Sequence, residues 1–443
     1  MSNQSIEELD IEELELLLQQ KKILAKNNIA FPDVNVKGAI KSTLANTEHL
    51  MSHCGISIRH NEMTKEIEIE IPGIHLHADT AMNAARGYIR SYAHEHGMPV
   101  GELDAYIATI ANKNSYHPVR DWLNAQEWDG QDRLGDYYDT IICGSNSQQS
   151  GNVLKETLMR KWALALVASL YEPQFSMEGV LCLYGRQGIG KTTWAYGLIP
   201  KEYGNRWIKD AVALDVHNKD SVMKAVGTWI TELGELDSTF KKSDLEALKA
   251  WITEKQDVIR PPYERSANKY TRRTVFYATL NTLEFLNDDE NRRFWVLDVD
   301  SFRFPRYDLA QFWAQMRELY QTVRPQCQDP ESRIANNEWG WFLTPQERAQ
   351  LQKSQAPFRT VDPVIEKLST HVVAPQHMKT IRGESLNITQ ILERCGMDRV
   401  TKRETTAGGK WLREQGHRPD GTKKYTVEIV DQTRKLPILK VVD

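Results

Sequence analysis

The sequence predicts an α/β core built around a phosphate-binding loop, with an α+β region before it and a small basic domain of helices and strands after it. Three observations carry this. The apolar run Val180-Leu181-Cys182-Leu183-Tyr184 reads as a buried strand and leads directly into a glycine-rich stretch, Gly185 to Thr192. Two more buried-strand runs, Val226 to Leu233 and Val275 to Leu280, follow it and are punctuated by polar residues. The charge is uneven: residues 1–20 carry six acidic and no basic side chains, whereas residues 376–443 carry fourteen basic and nine acidic ones, a net of +5.

Composition bounds the class. The chain has 443 residues, which at roughly 150 per domain predicts about three domains. Hydrophobic residues make up 40 % and charged residues 26 %, values of globular protein that exclude a disordered chain. No apolar run approaches the ~20 residues of a membrane helix, so no membrane association is expected. The five cysteines are scattered without a C-x-x-C pair, which argues against a disulfide framework or zinc ribbon and for a reducing compartment. The acidic N-terminus is unlike a signal peptide, so a cytoplasmic location is expected. The net charge of −4, from 56 Lys+Arg against 60 Asp+Glu, hides the local polarity just noted.

In chain order, residues 1–27 read as an acidic helix, with Ser5 as N-cap, Glu8 three residues on, and Leu9, Leu16 and Leu17 at helical spacing. Residues 28–114 read as an α+β domain. Glu66 to Ile71 alternates strictly as a half-exposed strand ended by Pro72-Gly73, and helices are predicted over 79–95 and 102–113. Residues 115–175 form a helical docking region, aromatic-rich at first and then a long apolar-periodic helix over 151–171. Residues 176–340 are the α/β core. Residues 341–375, with Pro345, Pro357, Pro363 and Pro375, read as a connector holding one helical piece over 346–353. Residues 376–443 read as helices followed by strands around Asp420-Gly421, a winged-helix-like pattern.

Gly185-Arg186-Gln187-Gly188-Ile189-Gly190-Lys191-Thr192 matches G-x-x-x-x-G-K-[ST] in full, between a strand and a predicted helix that starts through Thr193. Glycines let successive backbone N–H groups converge on phosphate oxygens, and the helix start adds its positive end. Lys191 reaches the outer phosphates of ATP and Thr192 offers a hydroxyl to Mg²⁺. The chemistry then needs an acid on a neighbouring strand to hold Mg²⁺ through water and polarise the attacking water. Glu232 is the first choice and Glu235 the second. Asn281, ending the next strand run, is placed to orient the lytic water or sense the γ-phosphate. Arg292-Arg293 fits an arginine finger, which a neighbouring subunit can supply.

These pieces lie within about 110 residues, and the arrangement resembles superfamily 3 helicases, a ring-forming branch of the AAA+ ATPases. It looks closest to the virulence-associated E family of phage and mobile-element replication proteins. The resemblance rests on SYHPVRDWLNAQEWDGQDRL (115–134), LYGRQGIGKTT (183–193), WITELGELD (229–237) with LKAWITEKQDVIRPPYER (248–265), and FYATLNTLEFLNDDENRRFWVLDV (276–299). It implies an α/β P-loop AAA+ core, with Lys191 and Thr192 as the Walker A pair, Glu232 as the Walker B acid, Asn281 as sensor, and Arg292 or Arg293 as finger. It departs from the family in one respect: the second acid stands three residues from Glu232 instead of beside it, which puts the role of Glu235 in doubt.

The resemblance further implies that the interval between acid and sensor grips single-stranded DNA. That interval holds Lys249, Lys255, Arg260, Tyr263, Arg265, Lys269, Arg272 and Arg273, basic residues around an aromatic as a phosphate-tracking groove requires. In the C-terminal domain Lys402, Arg403, Lys410, Lys423 and Lys424 are the expected DNA contacts. The implied protein is a DNA-stimulated ATPase and helicase acting as a hexameric homo-oligomeric ring on single-stranded and forked DNA in the bacterial host cytosol, with host or phage replication proteins as further partners. The alternative is an ATP-gated interaction or remodelling protein without helicase activity. The N-terminal region lacks a paired metal-binding Asp motif, since His75-x-His77 with Asp79 does not supply one, and no primase activity is expected.

Overall fold

The computed structural model describes residues 29–76, 80–144, 151–234, 242–259, 268–281, 291–328, 340–355, 363–373, 375, 384–431 and 436–437. It divides into two units, Met1–Asn281 with Arg292–Ser354, and Thr282–Asn291 with Gln355–Asp443.

The first unit begins with a small layer that has its own core. The helix Leu44–Cys54 starts at Thr43, whose hydroxyl caps Asn46 N, and stops at Gly55, which takes the left-handed conformation at φ 66°. β1 (Ser57–Asn61) pairs antiparallel with β2 (Glu66–Glu70) and parallel with β3 (Ser115–Tyr116). The helices Ala81–Glu95 and Leu103–Lys113 contribute Ala85, Ile89, Ala93, Ile107, Ile110 and Ala111, spaced three or four apart, to a core with Leu50 and Ile58. The turn between β1 and β2 instead reaches the larger core that follows. Met63 is buried there, and the Lys65 ammonium donates to Met63 O at 3.1 Å and to Val226 O at 3.0 Å.

That larger core is organised by a sheet. Its strands are β4 (Ile141–Cys143), β5 (Val180–Tyr184), β6 (Ile208–Val212) and β7 (Ile230–Leu233), followed after a separate hairpin, β8 (Gln256–Ile259) and β9 (Asn268–Thr271), by β10 (Val275–Leu280) and β11 (Phe294–Phe302). Among the described residues the order is β4-β11-β5-β10-β7-β6, with β4 antiparallel to β11 and every other pairing parallel. Parallel strands are covered on both faces, which is why β5, β7 and β10 are buried almost throughout, polar Thr231 and Glu232 of β7 included. The helices Gly151–Tyr171 and Leu309–Gln328 supply cover, with buried Trp162, Leu166, Phe312 and Trp313. Indole N–H groups fasten the layers. Trp162 donates to Phe276 O, Trp229 to Leu166 O, Trp313 to Leu198 O and Trp194 to Thr140 Oγ1, each at 2.9 Å.

The β8–β9 hairpin is clamped at its base. Arg272, just past β9, is buried. It meets the Asp257 carboxylate through Nε at 3.1 Å and Nη2 at 2.5 Å, and its Nη1 donates to Trp251 O and Ile252 O. Its guanidinium also lies over the Trp251 ring at 4.1 Å.

The second unit holds the helix Pro363–His371, β12 (Glu384–Leu386), the helices Ile388–Arg394 and Lys402–Glu414, and β13 (Tyr425–Val427), which pairs antiparallel with β12. Both later helices open with capping boxes, Asn387 with Gln390 and Thr401 with Glu404. Val364, Leu368, Ile391, Leu412 and Val427 form its core. The stretch 341–375, expected as a connector, therefore supplies a core helix to this unit. Pro363 stands at the first helical position, where its missing N–H is not needed, so it starts the helix instead of breaking it.

Two outcomes follow. Asp257→Ala leaves a buried guanidinium without its carboxylate and is expected to lower the unfolding free energy by about 3–5 kcal/mol in urea titrations; an unchanged midpoint would show that the clamp carries no stability. Burial pulls the Lys65 ammonium down to about 8 from its ordinary 10.5. Between those values the unfolded chain holds a proton that the folded chain has released. Lys65 therefore makes stability rise with pH across that window, by about 1.4 kcal/mol per unit at most. Comparing wild type with Lys65→Met between pH 8 and 10 should show this rise in the wild type only.

Candidate functional site

The glycine-rich loop leaves the carboxyl end of β5. Gly185 sits against β11, and a Cβ there would meet Val299 O at 2.4 Å, so no larger residue fits. Its N–H donates to Leu280 O at 3.2 Å, tying the start of the loop to the end of β10. Gly188 (φ 82°) and Gly190 (φ 98°) both take left-handed backbone that L side chains rarely adopt, with open space where a Cβ would point. The turn exposes Arg186, Gln187 and Gly188, half-buries Ile189 against the core, and feeds the helix Lys191–Tyr196, on which Thr193 is exposed.

Four of the residues singled out in sequence meet at this edge. Lys191 is buried, and its ammonium donates to Gly185 O (2.6 Å), Arg186 O (3.3 Å), Leu280 O (3.1 Å) and Asn281 Oδ1 (2.8 Å). Glu232, on β7, is 4 % exposed. Thr192 Oγ1 lies 3.4 Å from Glu232 Oε2, so the hydroxyl next to Lys191 faces that carboxylate. Lys191 thus bridges the loop to Asn281, and Thr192 bridges the loop to Glu232.

Two further residues complete the constellation and were missed in sequence. Thr279 Oγ1 donates to Glu232 Oε1 at 2.6 Å, and Tyr277 OH donates to Glu232 Oε2 at 3.1 Å. Both lie on β10, where Tyr277 stands opposite Glu232. Their signal was the period-two alternation of a strand, which puts Tyr277 and Thr279 on one face, but only the pairing of β10 with β7 turns that face toward the acid. Burial, and then the Glu232 charge, hold the Tyr277 phenol well above its ordinary value, so it remains a donor.

Arg292 and Arg293 occupy the turn Asn291–Arg293 before β11, Arg292 exposed and Arg293 partly buried. Phe294 pairs with Val180 at the start of β5, whereas the loop starts beyond its end. Six residues of strand, roughly 20 Å, separate Arg293 from Val299 beside Gly185, so neither arginine reaches the loop of its own chain.

The basic interval divides. Lys255 and Lys269 are exposed on the β8–β9 hairpin. Lys249 is not a surface contact: it is buried, and its ammonium pairs with Glu246 at 3.0 Å. Arg272 is likewise taken up by Asp257, and Arg273 donates to Ser169 O and Glu172 O. In each case a residue expected to grip DNA is instead met by acceptors that tertiary packing supplies. Glu235, Arg260, Tyr263, Arg265, His77 with Asp79, and the acidic helix over 1–27 lie outside the described residues. In the second unit Lys402, Arg403, Lys410, Lys423 and Lys424 are all exposed. No helix among the described residues is long and apolar enough to cross a membrane.

A family model for the virulence-associated protein E-like domain matches residues 123–359, more than half of the chain. A search of curated proteins finds no match. Among solved structures, the apo structure of the NrS-1 C-terminal region is 12 % identical, with a TM-score of 0.34, covering 87 % of this chain and 98 % of that one. An A-form apo structure of the same region is also 12 % identical, with a TM-score of 0.34, covering 83 % and 85 %.

Thr279→Val removes one of the hydroxyls from a buried carboxylate and is expected to lower the unfolding free energy by about 1–3 kcal/mol, with Thr279→Ser close to wild type. Equal urea midpoints for the valine variant and wild type would show that Thr279 does not support Glu232.

Proposed function

The chain belongs to the virulence-associated protein E-like family, and from that premise we propose that it is a P-loop ATPase of the AAA+ type, a ring-forming helicase that uses ATP hydrolysis to move on single-stranded DNA during replication of a phage or mobile element. The observation that supports this best is the convergence of Lys191, Thr192, Glu232 and Asn281 at the carboxyl ends of neighbouring parallel strands. Open α/β sheets bind ligands in the crevice outside those ends.

The residues present fit ATP with Mg²⁺. The loop carries two left-handed glycines over open space, so its backbone N–H groups can approach phosphate oxygens closely. Lys191 would exchange these neutral oxygen acceptors for phosphate oxygens, and Asn281 beside it would orient water at the γ-phosphate. Thr192 and Glu232 would hold Mg²⁺, directly and through water, and the cation would offset charge on the transferring phosphoryl group. Thr279 and Tyr277 keep the Glu232 carboxylate oriented toward Thr192. An arginine finger from Arg292 or Arg293 serves the site of the neighbouring copy, because the distance along β11 excludes its own. That requirement is the argument for a ring of subunits, which we read as a hexamer.

DNA is gripped by two exposed basic surfaces. One is the β8–β9 hairpin with Lys255 and Lys269, which Arg272 holds at its base. The other is the second unit, whose helix–strand–helix–helix–strand order fits a winged helix, with Lys402, Arg403 and Lys410 along the helix Lys402–Glu414.

Lys191→Ala should abolish ATP hydrolysis, with a fall of at least about 100-fold in kcat; retained turnover would remove the site assignment. Wild-type hydrolysis should rise with added single-stranded DNA, and forked duplex should be separated. ATPase activity indifferent to DNA, together with no strand separation, would refute the helicase reading. Replacing Lys402, Arg403 and Lys410 by Ala should weaken DNA binding at all sequences alike and reduce the slope of log Kobs against log[salt] by about 0.7–0.9 for each phosphate that is no longer neutralised.

A further inference from the structure

We propose that Asp210 is the second carboxylate of this site, facing Glu232 from the neighbouring strand and sharing with it the water shell of the divalent cation that accompanies ATP. The inference rests on the ATPase reading above and answers the question left by the spacing of Glu232 and Glu235: the partner acid comes from another strand.

The first observation is a bulge. β6 pairs with β7 in register at Ile208 with Ile230 and Lys209 with Thr231, but the next pair is Val212 with Leu233. Asp210 and Ala211 together therefore stand opposite Glu232. Bulges are over-represented at sheet edges, where β6 lies, and next to active sites, where they re-aim a side chain. The second observation is strain. Ala211 has φ 48°, a left-handed conformation that costs an alanine about 1–2 kcal/mol. The neighbouring chain is built to accommodate it. Gly234 N–H bonds Val212 O at 3.0 Å, and a Cβ on Gly234 would come within 3.1 Å of Ala211 C.

The third observation is where Asp210 ends up. Its charge acts on the phenol of Tyr196, at the end of the helix that begins with Lys191 and Thr192. The charges of Asp210 and Glu232 both act on Tyr196 and on Tyr277. Asp210 thus stands opposite Glu232 in register and within electrostatic reach of the same two phenols, and it is exposed while Glu232 is buried. Like charges opposite one another on adjacent strands are unfavourable. A divalent cation with its water between them reverses the sign of that interaction, and the strained bulge is then retained because it faces the two acids toward one point.

The experiment is Mn²⁺ binding to the full chain with a non-hydrolysable ATP analogue, followed by electron paramagnetic resonance. Binding of a fluorescent ADP without metal is measured alongside. Asp210→Asn should weaken Mn²⁺ by about tenfold or more and leave metal-free ADP binding unchanged, and Asp210→Glu should recover part of that affinity. Tyr196→Phe should keep Mn²⁺ affinity close to wild type. Unchanged affinity in Asp210→Asn overturns the inference. So does an equal weakening in Tyr196→Phe, since Asp210 would then act only by holding the tyrosine. Lys191→Ala and Glu232→Gln separate the two levels. If Lys191→Ala still binds nucleotide tightly and Glu232→Gln still binds Mn²⁺, the ATPase reading fails. If both lose binding and Asp210→Asn does not, only the role of Asp210 fails.

Discussion

Parallel alignment of β5, β7 and β10 is the constraint on which the rest of the molecule depends. Parallel neighbours point their carboxyl ends the same way, so whatever follows each strand is delivered to one edge of the sheet. Lys191 and Thr192 follow β5, Asn281 follows β10, and Glu232 lies near the end of β7. The register keeps Tyr277 opposite Glu232 and Leu280 opposite Tyr184. A one-residue slip of β10 would turn Tyr277 and Thr279 to the other face and leave the buried carboxylate without two of its donors. The tryptophan N–H bonds to Phe276 O and Leu166 O resist such a slip, because each spends a donor on one backbone carbonyl.

A second theme is the use of buried cations to satisfy backbone carbonyls. Lys155 donates to Tyr138 O and Ile141 O, Lys161 to Gly340 O and Phe342 O, Lys65 to Met63 O and Val226 O, and Arg272 to Trp251 O and Ile252 O. Each joins segments that regular secondary structure does not pair. Burying a cation is unfavourable unless its donors are met, so these side chains act as fixed cross-links. This is also why charge counted along the chain overstates the positive surface available to a polyanion.

What could be read in the sequence follows from the range of the interactions. The loop, its strand and Lys191 were legible because a strand, a glycine turn and a helix start are all local. So were the long helix, found at Gly151–Tyr171, and the strand at Glu66–Glu70. Glu232 and Asn281 were legible as polar residues ending apolar runs. Thr279 and Asp210 were not, since their meaning depends on which strands become neighbours and on a bulge that only pairing creates. Lys249 was misplaced for the converse reason: helical spacing sets Glu246 one turn before it, but not the packed interior that buries its ammonium. Pro345 and Pro363 read as breaks in composition, yet each begins a helix.

The four-oxygen cage around Lys191 has a consequence for selectivity. An entering ligand does not find a bare charge; it must outcompete three backbone carbonyls and an amide oxygen already at hydrogen-bond distance. Neutral ligands exchange like for like and gain little, and a weakly coordinating monoanion gains only slightly more. A polyphosphate gains most, because several negative oxygens replace dipoles at once. In the ATPase reading proposed above, the backbone around Lys191 would set a threshold that selects by charge density before any contact with a nucleotide base is made.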